Sequence, residues 1–255
     1  MVVIGNAKGG TGKSTIAMHL AVGFAHAGRR VGLIDLDTGQ GSLSRYAENR
    51  SATCAAGLDL PMPVSYPVAD DGGIASLAET FERAAAECDM VIVDTPGADT
   101  ELSRAGHVFA DTLLTPMNDS FVDLDVLGRV NPRTGRVESP SRYAELVWDV
   151  RKERARLGRS PLRWFVLRNR LSMLDARNKR AVEAAVADLA RRIGFTVVGG
   201  LSERVVYREM FVTGLTLWDV RTPGAGVDLR ISHIAARQEL RALMSALGFA
   251  DAVPG

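Results

Sequence analysis

Short apolar runs alternate along this chain with longer stretches of helical periodicity. The first run, Val2–Gly5 (VVIG), leads into residues 14–28, whose apolar spacing is helical and whose end is marked by Gly28. The next run, 30–37 (RVGLIDLD), is followed by a helical stretch at 42–50. A helix over 74–87 then precedes MVIVD at 90–94, and a helix over 99–109 precedes DTLLTPM at 111–117. Helical patterns cover 119–129, 141–158 and 174–194, with strand patterns at 162–169 and 195–201 between the later ones. A further helical segment lies around SERVVYREM, and a last helix spans 230–247. Residues 51–72 carry Pro, Gly and Asp and read as a loop, and 131–140 (NPRTGRVESP) as a surface excursion. Strands that alternate with helices predict an α/β fold: a mainly parallel, twisted sheet covered by helices on both faces. With no repeat, low-complexity tract or visible boundary, one domain over 1–255 is expected.

Composition supports a sizeable core and narrows the classes. Apolar residues make up 46% of the chain. No run approaches the roughly 18 apolar residues of a membrane span. Cys54 and Cys88 form no close pair, and the four histidines show no metal-ligand spacing. The start runs straight into a strand without a signal-peptide pattern, so a cytoplasmic location is expected. The net charge of +1 conceals an asymmetry. Residues 1–150 hold 12 basic against 20 acidic residues, whereas 151–210 hold 15 against 6. Such a basic block suggests an anionic partner, or else a solvated helical face.

The chemistry concentrates at NAKGGTGKST, residues 6–15. The chain has four lysines against 27 arginines, and two of the four, Lys8 and Lys13, stand here. Gly9, Gly10 and Gly12 allow the backbone N–H groups to converge on phosphate oxygens, with Thr11 between them. The helix N-terminus behind the turn adds partial positive charge. Lys13 is placed to reach the β- and γ-phosphates, and the Ser14 hydroxyl is the expected Mg²⁺ ligand. Thr15 either caps the helix or touches the α-phosphate. Both VGLIDLD and VIVDTPG end in aspartate, at the strand ends where ligands sit in open α/β sheets. Ala7 replaces the first glycine of the general phosphate-loop pattern, and KGGTGKS fits a different one.

That pattern resembles the P-loop NTPases of deviant Walker A type, typified by ParA and MinD. The resemblance implies that Lys8 crosses a dimer interface to the phosphates of the partner's ATP. It also implies that Asp94 holds Mg²⁺ through water, that Asp37 orients the attacking water, and that the turn at 95–97 (TPG) senses the γ-phosphate. Asp35 belongs either to the outer shell of the metal or only caps its strand. Asn169, closing WFVLRN, would contact the adenine edge. Nothing in the set is a strong general base, so slow ATP hydrolysis is expected. Within the group the chain most resembles the MipZ-type regulators of division-site placement, through GNAKGGTGKSTIAMHL, ECDMVIVDTPG, TPMNDSFVDLDVLG, VLRNRL and AARQELRALM. This implies an ATP-dependent homodimer, non-specific DNA binding with nucleoid association, docking to ParB and inhibition of FtsZ polymerisation.

The charge block gives the DNA expectation its own residues. Arg177, Lys179 and Arg180 cluster on one helix and Arg204 and Arg208 on the next, an arrangement that suits phosphates without base reading. Arg151, Lys152, Arg154 and Arg156 either join that surface or form a solvated face. A MinD-type basic membrane tail is not expected, since the sequence ends GFADAVPG. Two other readings stay open: a ParA-type chromosome or plasmid partition ATPase, and a metabolic or iron–sulfur-linked ATPase. Cys88 before a strand and Cys54 in a loop serve the last one poorly.

Overall fold

The computed structural model describes residues 1–68, 73–118, 121–131, 137–171, 176–227 and 230–254; the side chains of 121, 122, 130 and 176–181 are outside that description. In chain order the first half builds β1 (Val2–Ile4), α1 (Lys13–His26), β2 (Val31–Asp35), α2 (Ser42–Ala55), β3 (Val64–Ser65), α3 (Gly73–Glu87), β4 (Met90–Asp94) and α4 (Glu101–Phe109). The second half adds β5 (Thr112–Asn118), a short α5 (Phe121–Leu124), β6 (Gly128–Val130), β7 (Val137–Pro140), α6 (Arg142–Arg156), β8 (Arg163–Asn169), α7 (Ala176–Ile193), β9 (Thr196–Val198), α8 (Val206–Thr213) and α9 (Ile231–Ala246).

Seven strands form one sheet in the order β3-β2-β4-β1-β5-β8-β9, and every pairing in it is parallel. Successive residues of a strand point to opposite faces, which explains the unbroken apolar runs. Val2, Ile4, Leu33, Ile92, Leu114, Phe165 and Leu167 pack with α1, α2, α8 and α9. Their neighbours Val3, Ile34, Val91, Val93, Leu113, Trp164 and Val166 pack on the other face with α3, α5, α6 and α7. Each fully buried Val, Leu, Ile or Phe side chain contributes about 1.5–3 kcal/mol. The α/β architecture with helices on both faces is the one the periodicity predicts.

Two stretches differ from expectation. Residues 51–55 continue α2, and Val64–Ser65 pairs with Gly32–Leu33 as an edge strand inside the supposed loop. The helical pattern stops short there because Arg50, a charged residue, faces the interior and is fully buried. The pattern at 119–129 yields only the four residues of α5, after which Gly128–Val130 pairs antiparallel with Val137–Pro140 in a separate hairpin. Apolar residues crowded at 124, 126 and 127 suit either period, and the hairpin pairing decides between them. The middle of the excursion, 132–136, lies outside the described residues, as do 69–72 and 119–120.

Candidate functional site

The glycine-rich turn joins the C-terminal end of β1 to α1. β1 lies between β4 and β5, where the strand order reverses, so the turn opens into the crevice between diverging connections. Three contacts shape it. The buried Asn6 donates its amide to the Pro116 carbonyl at 2.6 Å and accepts the Lys8 N–H at 2.8 Å. Asn169 Nδ2 donates to the Thr11 carbonyl at 2.8 Å. Gly97 presses on the loop so closely that a Cβ there would lie 2.7 Å from the Gly9 nitrogen. Gly12, the residue before α1, has φ +87° and would drive any side chain into Asn169. No side chain caps this helix, so its first N–H groups are left for an anionic ligand.

The two lysines have different surroundings. Lys13 is buried and donates from Nζ to the Lys8 carbonyl at 3.0 Å. Burial lowers its pKa, opposed by the charges of Asp94 and Asp37. Lys8 is half-buried, and its Nζ stands 3.1 Å from Asp123 Oδ1 of α5. Any reach toward a second subunit therefore exchanges an intramolecular carboxylate for another anion. Asp123 lies inside the quoted TPMNDSFVD stretch, but nothing in its local pattern marks it as the partner of a residue 115 positions away.

Asp94 ends β4 in register with Asp35 of β2 and Ile4 of β1. It is 1% exposed, accepts a hydrogen bond from the Ser14 hydroxyl, and keeps Oδ1 without a partner among the described residues. Burial, with added repulsion from Asp35 and Asp37, raises its pKa to about 7 against the pull of Ser14 and Lys13. A hydroxyl beside an incompletely bonded carboxylate is a hard-oxygen donor set of the kind Mg²⁺ takes. Asp35 accepts the Asp37 N–H at 3.0 Å, the Ser44 N–H at 2.9 Å and the Ser44 hydroxyl at 3.1 Å, so it ties the β2 turn to the start of α2. Asp37 holds its own turn through Gln40 N–H at 3.3 Å. Thr95 anchors the TPG turn to the Ile4 carbonyl through both N–H and hydroxyl.

A cavity of about 230 Å³ opens beside the loop, lined by Gly12, Thr15, Asn169, His19, Arg204 and Tyr207 among others. Asn169 is at its rim with both ends of its amide engaged, Nδ2 to Thr11 and Oδ1 from the Arg170 N–H at 2.9 Å. Arg170 has φ +53°, the left-handed conformation that non-glycine residues adopt mainly at constrained sites. The sequence gives His19 and Tyr207 no role, although His19 lies in the quoted GNAKGGTGKSTIAMHL stretch; in the fold their rings meet edge-on at 5.1 Å.

The basic block proves heterogeneous. Arg177, Lys179 and Arg180 sit in the first turns of α7, and their side chains lie outside the described residues. Arg204 is ion-paired with Glu239 at 2.7 Å and has an 18% exposed side chain, so it faces the cavity more than the solvent. Arg208 is exposed and lies 3.4 Å from Glu203. The four cations at 151–156 on α6 split. Arg151 bonds the Ile193 and Gly194 carbonyls at the end of α7, and Arg154 is buried on the Val108 and Ser160 carbonyls. Lys152 and Arg156 are exposed and pair within the helix with Asp149 and Glu153. Part of the positive block, Arg151, Arg154 and Arg204, is therefore internal stapling.

With this geometry in hand, comparison with known proteins narrows the identity. A relative from Halothiobacillus neapolitanus, maintenance of carboxysome distribution protein A, is 24% identical over 235 residues, 91% of this chain and 93% of its own. The structure of apo McdA from Cyanothece superposes with TM-score 0.68 at 20% identity, covering 97% of this chain and 98% of that one. The septum site-determining protein MinD from Pyrococcus horikoshii, complexed with Mg-ADP, superposes with TM-score 0.56 at 17% identity over 94% and 93%. The model of the family described as ATPase MipZ matches residues 1–251. The deviant loop between β1 and α1 and a match over nearly the whole length together make the chain a member of the MipZ family of ATPases.

Proposed function

We propose that this ATPase is a dimerising switch: two copies close over two ATP molecules, and the closed form binds DNA without sequence preference and regulates the site of cell division. The observation that supports the reading is the loop itself, where Lys13 is buried on the Lys8 carbonyl while the half-buried Lys8 is ion-paired with Asp123. Lys13 binds the β- and γ-phosphates of the chain's own nucleotide, cradled by N–H groups of Gly9, Gly10, Thr11 and Gly12, with Thr15 at the first turn. Lys8 serves the nucleotide of the partner subunit. Mg²⁺ is held by Ser14 and, through water, by Asp94; when bound it neutralises charge on the transferred phosphoryl group. Asp37 orients the attacking water, and Asn169 borders the base. One functional unit over 1–255 follows.

The finer reading, docking to ParB and inhibition of FtsZ assembly in the cytoplasm at the nucleoid, is supported by membership of the MipZ family. Arg208 with Arg177, Lys179 and Arg180 forms the DNA surface, with Arg204 joining only if Glu239 releases it. No helix among the described residues is long and apolar enough to cross a membrane. A second reading, a ParA-type partition ATPase, is favoured by a relative named Protein ParA, 29% identical over 126 residues.

Light scattering with ATP or a non-hydrolysable analogue, with and without DNA, tests the switch. Wild type doubles in mass with ATP, and Lys8→Ala stays monomeric with its fold intact; a Lys8→Ala dimer of normal size rejects the cross-interface role. FtsZ sedimentation at saturating ATP separates the two readings, since a partition ATPase leaves FtsZ assembly unchanged.

A further inference from the structure

On the face of the sheet that carries α6, four buried polar side chains touch in a row. They are His107 of α4, Tyr143 of α6, Thr115 of β5 and Trp164 of β8, none more than 6% exposed. His107 Nε2 lies 3.2 Å from Tyr143 Oη, Tyr143 Oη 3.1 Å from Thr115 Oγ1, and Thr115 Oγ1 3.0 Å from Trp164 Nε1. The row lies against the start of the phosphate loop. A Cβ on Gly5 would stand 2.5 Å from His107 Nε2 and 2.9 Å from Tyr143 Oη.

The protons in this row have one arrangement. The Ser103 carbonyl, 2.6 Å from His107 Nδ1, can only accept, so Nδ1 carries the hydrogen. Burial lowers the His107 pKa against the pull of that carbonyl and of Asp99, which keeps the ring neutral and Nε2 a bare acceptor. Burial raises the Tyr143 pKa, so its hydroxyl keeps a hydrogen and donates it to Nε2. The Thr115 hydroxyl then donates to Tyr143 Oη, and the Trp164 indole N–H, a donor only, to Thr115 Oγ1. Each bond fixes the sense of the next. Removing the Tyr143 oxygen strands a buried neighbour on either side.

The row joins the nucleotide loop to the helix behind the TPG turn. α4 follows that turn with Thr100 as its cap and carries His107 in its last helical turn. Gly97 rests on the loop, but past it Asn6, Ala7, Ala98 and Asp99 line a cavity of about 250 Å³ together with Ser103 and Tyr143. With that gap between them, α4 is held to the loop by the row against Gly5. Resting on the nucleotide site proposed above, we infer that Tyr143 and His107 are positioning residues for ATP hydrolysis. They hold α4, and with it the TPG turn, at the distance from the phosphate loop that the reacting geometry needs. Ground-state binding of ATP rests on the loop N–H groups and Lys13 and tolerates a small displacement of the turn, whereas the transition state does not.

The test measures kcat by phosphate release at saturating ATP, and ATP affinity by calorimetry, on the full chain with Mg²⁺ at one protein concentration. Tyr143→Phe removes one oxygen and keeps the shape; it lowers kcat about ten-fold and leaves ATP affinity within about two-fold. His107→Gln keeps an acceptor where Nε2 stands and retains most of kcat. His107→Leu lacks it and loses about ten-fold, and adding Tyr143→Phe lowers kcat little further because the bond is already gone. Thermal melting checks each fold, and Thr115→Val, on the other side of Tyr143, replaces His107→Leu if that variant does not fold. A folded Tyr143→Phe that hydrolyses ATP at the wild-type rate overturns the inference. So does a fall in kcat matched by a fall in ATP affinity or by a changed mass in light scattering, the marks of a general loosening. Either result leaves the ATPase switch standing, whereas failure of wild type to bind ATP overturns the nucleotide site itself.

Discussion

His19 is wholly enclosed, its Nδ1–H is held by a carbonyl of its own helix, and Tyr46 and Tyr207 pack edge-on against it. An imidazole in such a place resists protonation, chiefly through burial and further through the positive charge of Arg50; the Thr15 carbonyl and the Asp219 charge only partly offset this. The sign follows directly. The folded pKa of about 4 lies below the ordinary 6.5, so this contribution to stability is complete above pH 6.5 and is lost as pH falls toward 4. The gap corresponds to roughly 3 kcal/mol at most. Urea unfolding of wild type and His19→Asn between pH 4 and 7 measures it: the variant shows the shallower acid decline, and parallel profiles would contradict a neutral buried ring.

At the scale of elements, the contact that ties the second strand end to the nucleotide loop is backbone on backbone. The TPG turn after β4 lies on the phosphate loop at Gly97, and Thr95 fastens that turn to β1. The two segments are in close contact, which suits a turn expected to sense a phosphate. A methyl group at Gly97 would collide with main-chain atoms that cannot rotate away, and overpacking of this kind costs about 1–3 kcal/mol. Gly97→Ala is expected to weaken ATP binding roughly ten-fold. Gly199→Ala, where an added Cβ meets nothing within 4 Å, serves as the control and leaves it unchanged. Equal affinities in the two variants would mean that the turn and the loop are not coupled. The same scale shows where local pattern misleads. The pattern at 119–129 suggests a helix and becomes a single turn followed by a hairpin, because β6 finds a partner in β7.

Across the whole molecule, one buried ion pair joins parts far apart in sequence. Arg50 of α2 makes a two-pronged contact with Asp219, at 2.8 and 2.9 Å, and also bonds the Pro61 and Gly214 carbonyls. Asp219 accepts further bonds from Thr216 and His26. Burial alone would raise its pKa, but the hydrogen bonds from Arg50 and His26 prevail and hold it well below the usual carboxylate range. Its contribution is present above the ordinary carboxylate pKa and is lost only in stronger acid. Asp219→Ala strands the guanidinium and is expected to cost about 3–5 kcal/mol, whereas Arg50→Met with Asp219→Leu costs less. Denaturant midpoints of the two variants check this order. The pair fastens the segment just after α8 to α2.

The amino-acid sequence by itself determined the alternation of strands and helices, the phosphate loop and the aspartates at strand ends. Those features are local: glycine torsions, helix starts and apolar periodicity act over a few residues. Only the tertiary structure decided which cations are available and which are internal. Arg151 and Arg154 read in the sequence as part of a DNA surface or a solvated face, yet they bond backbone carbonyls, Arg154 from a buried position and Arg151 from a half-buried one. It also decided that Lys8 rests on Asp123 and that His19 meets Tyr207. The reason is physical: a charge or a lone pair acquires its role from partners within a few ångströms, and those partners come from distant segments that only packing brings together.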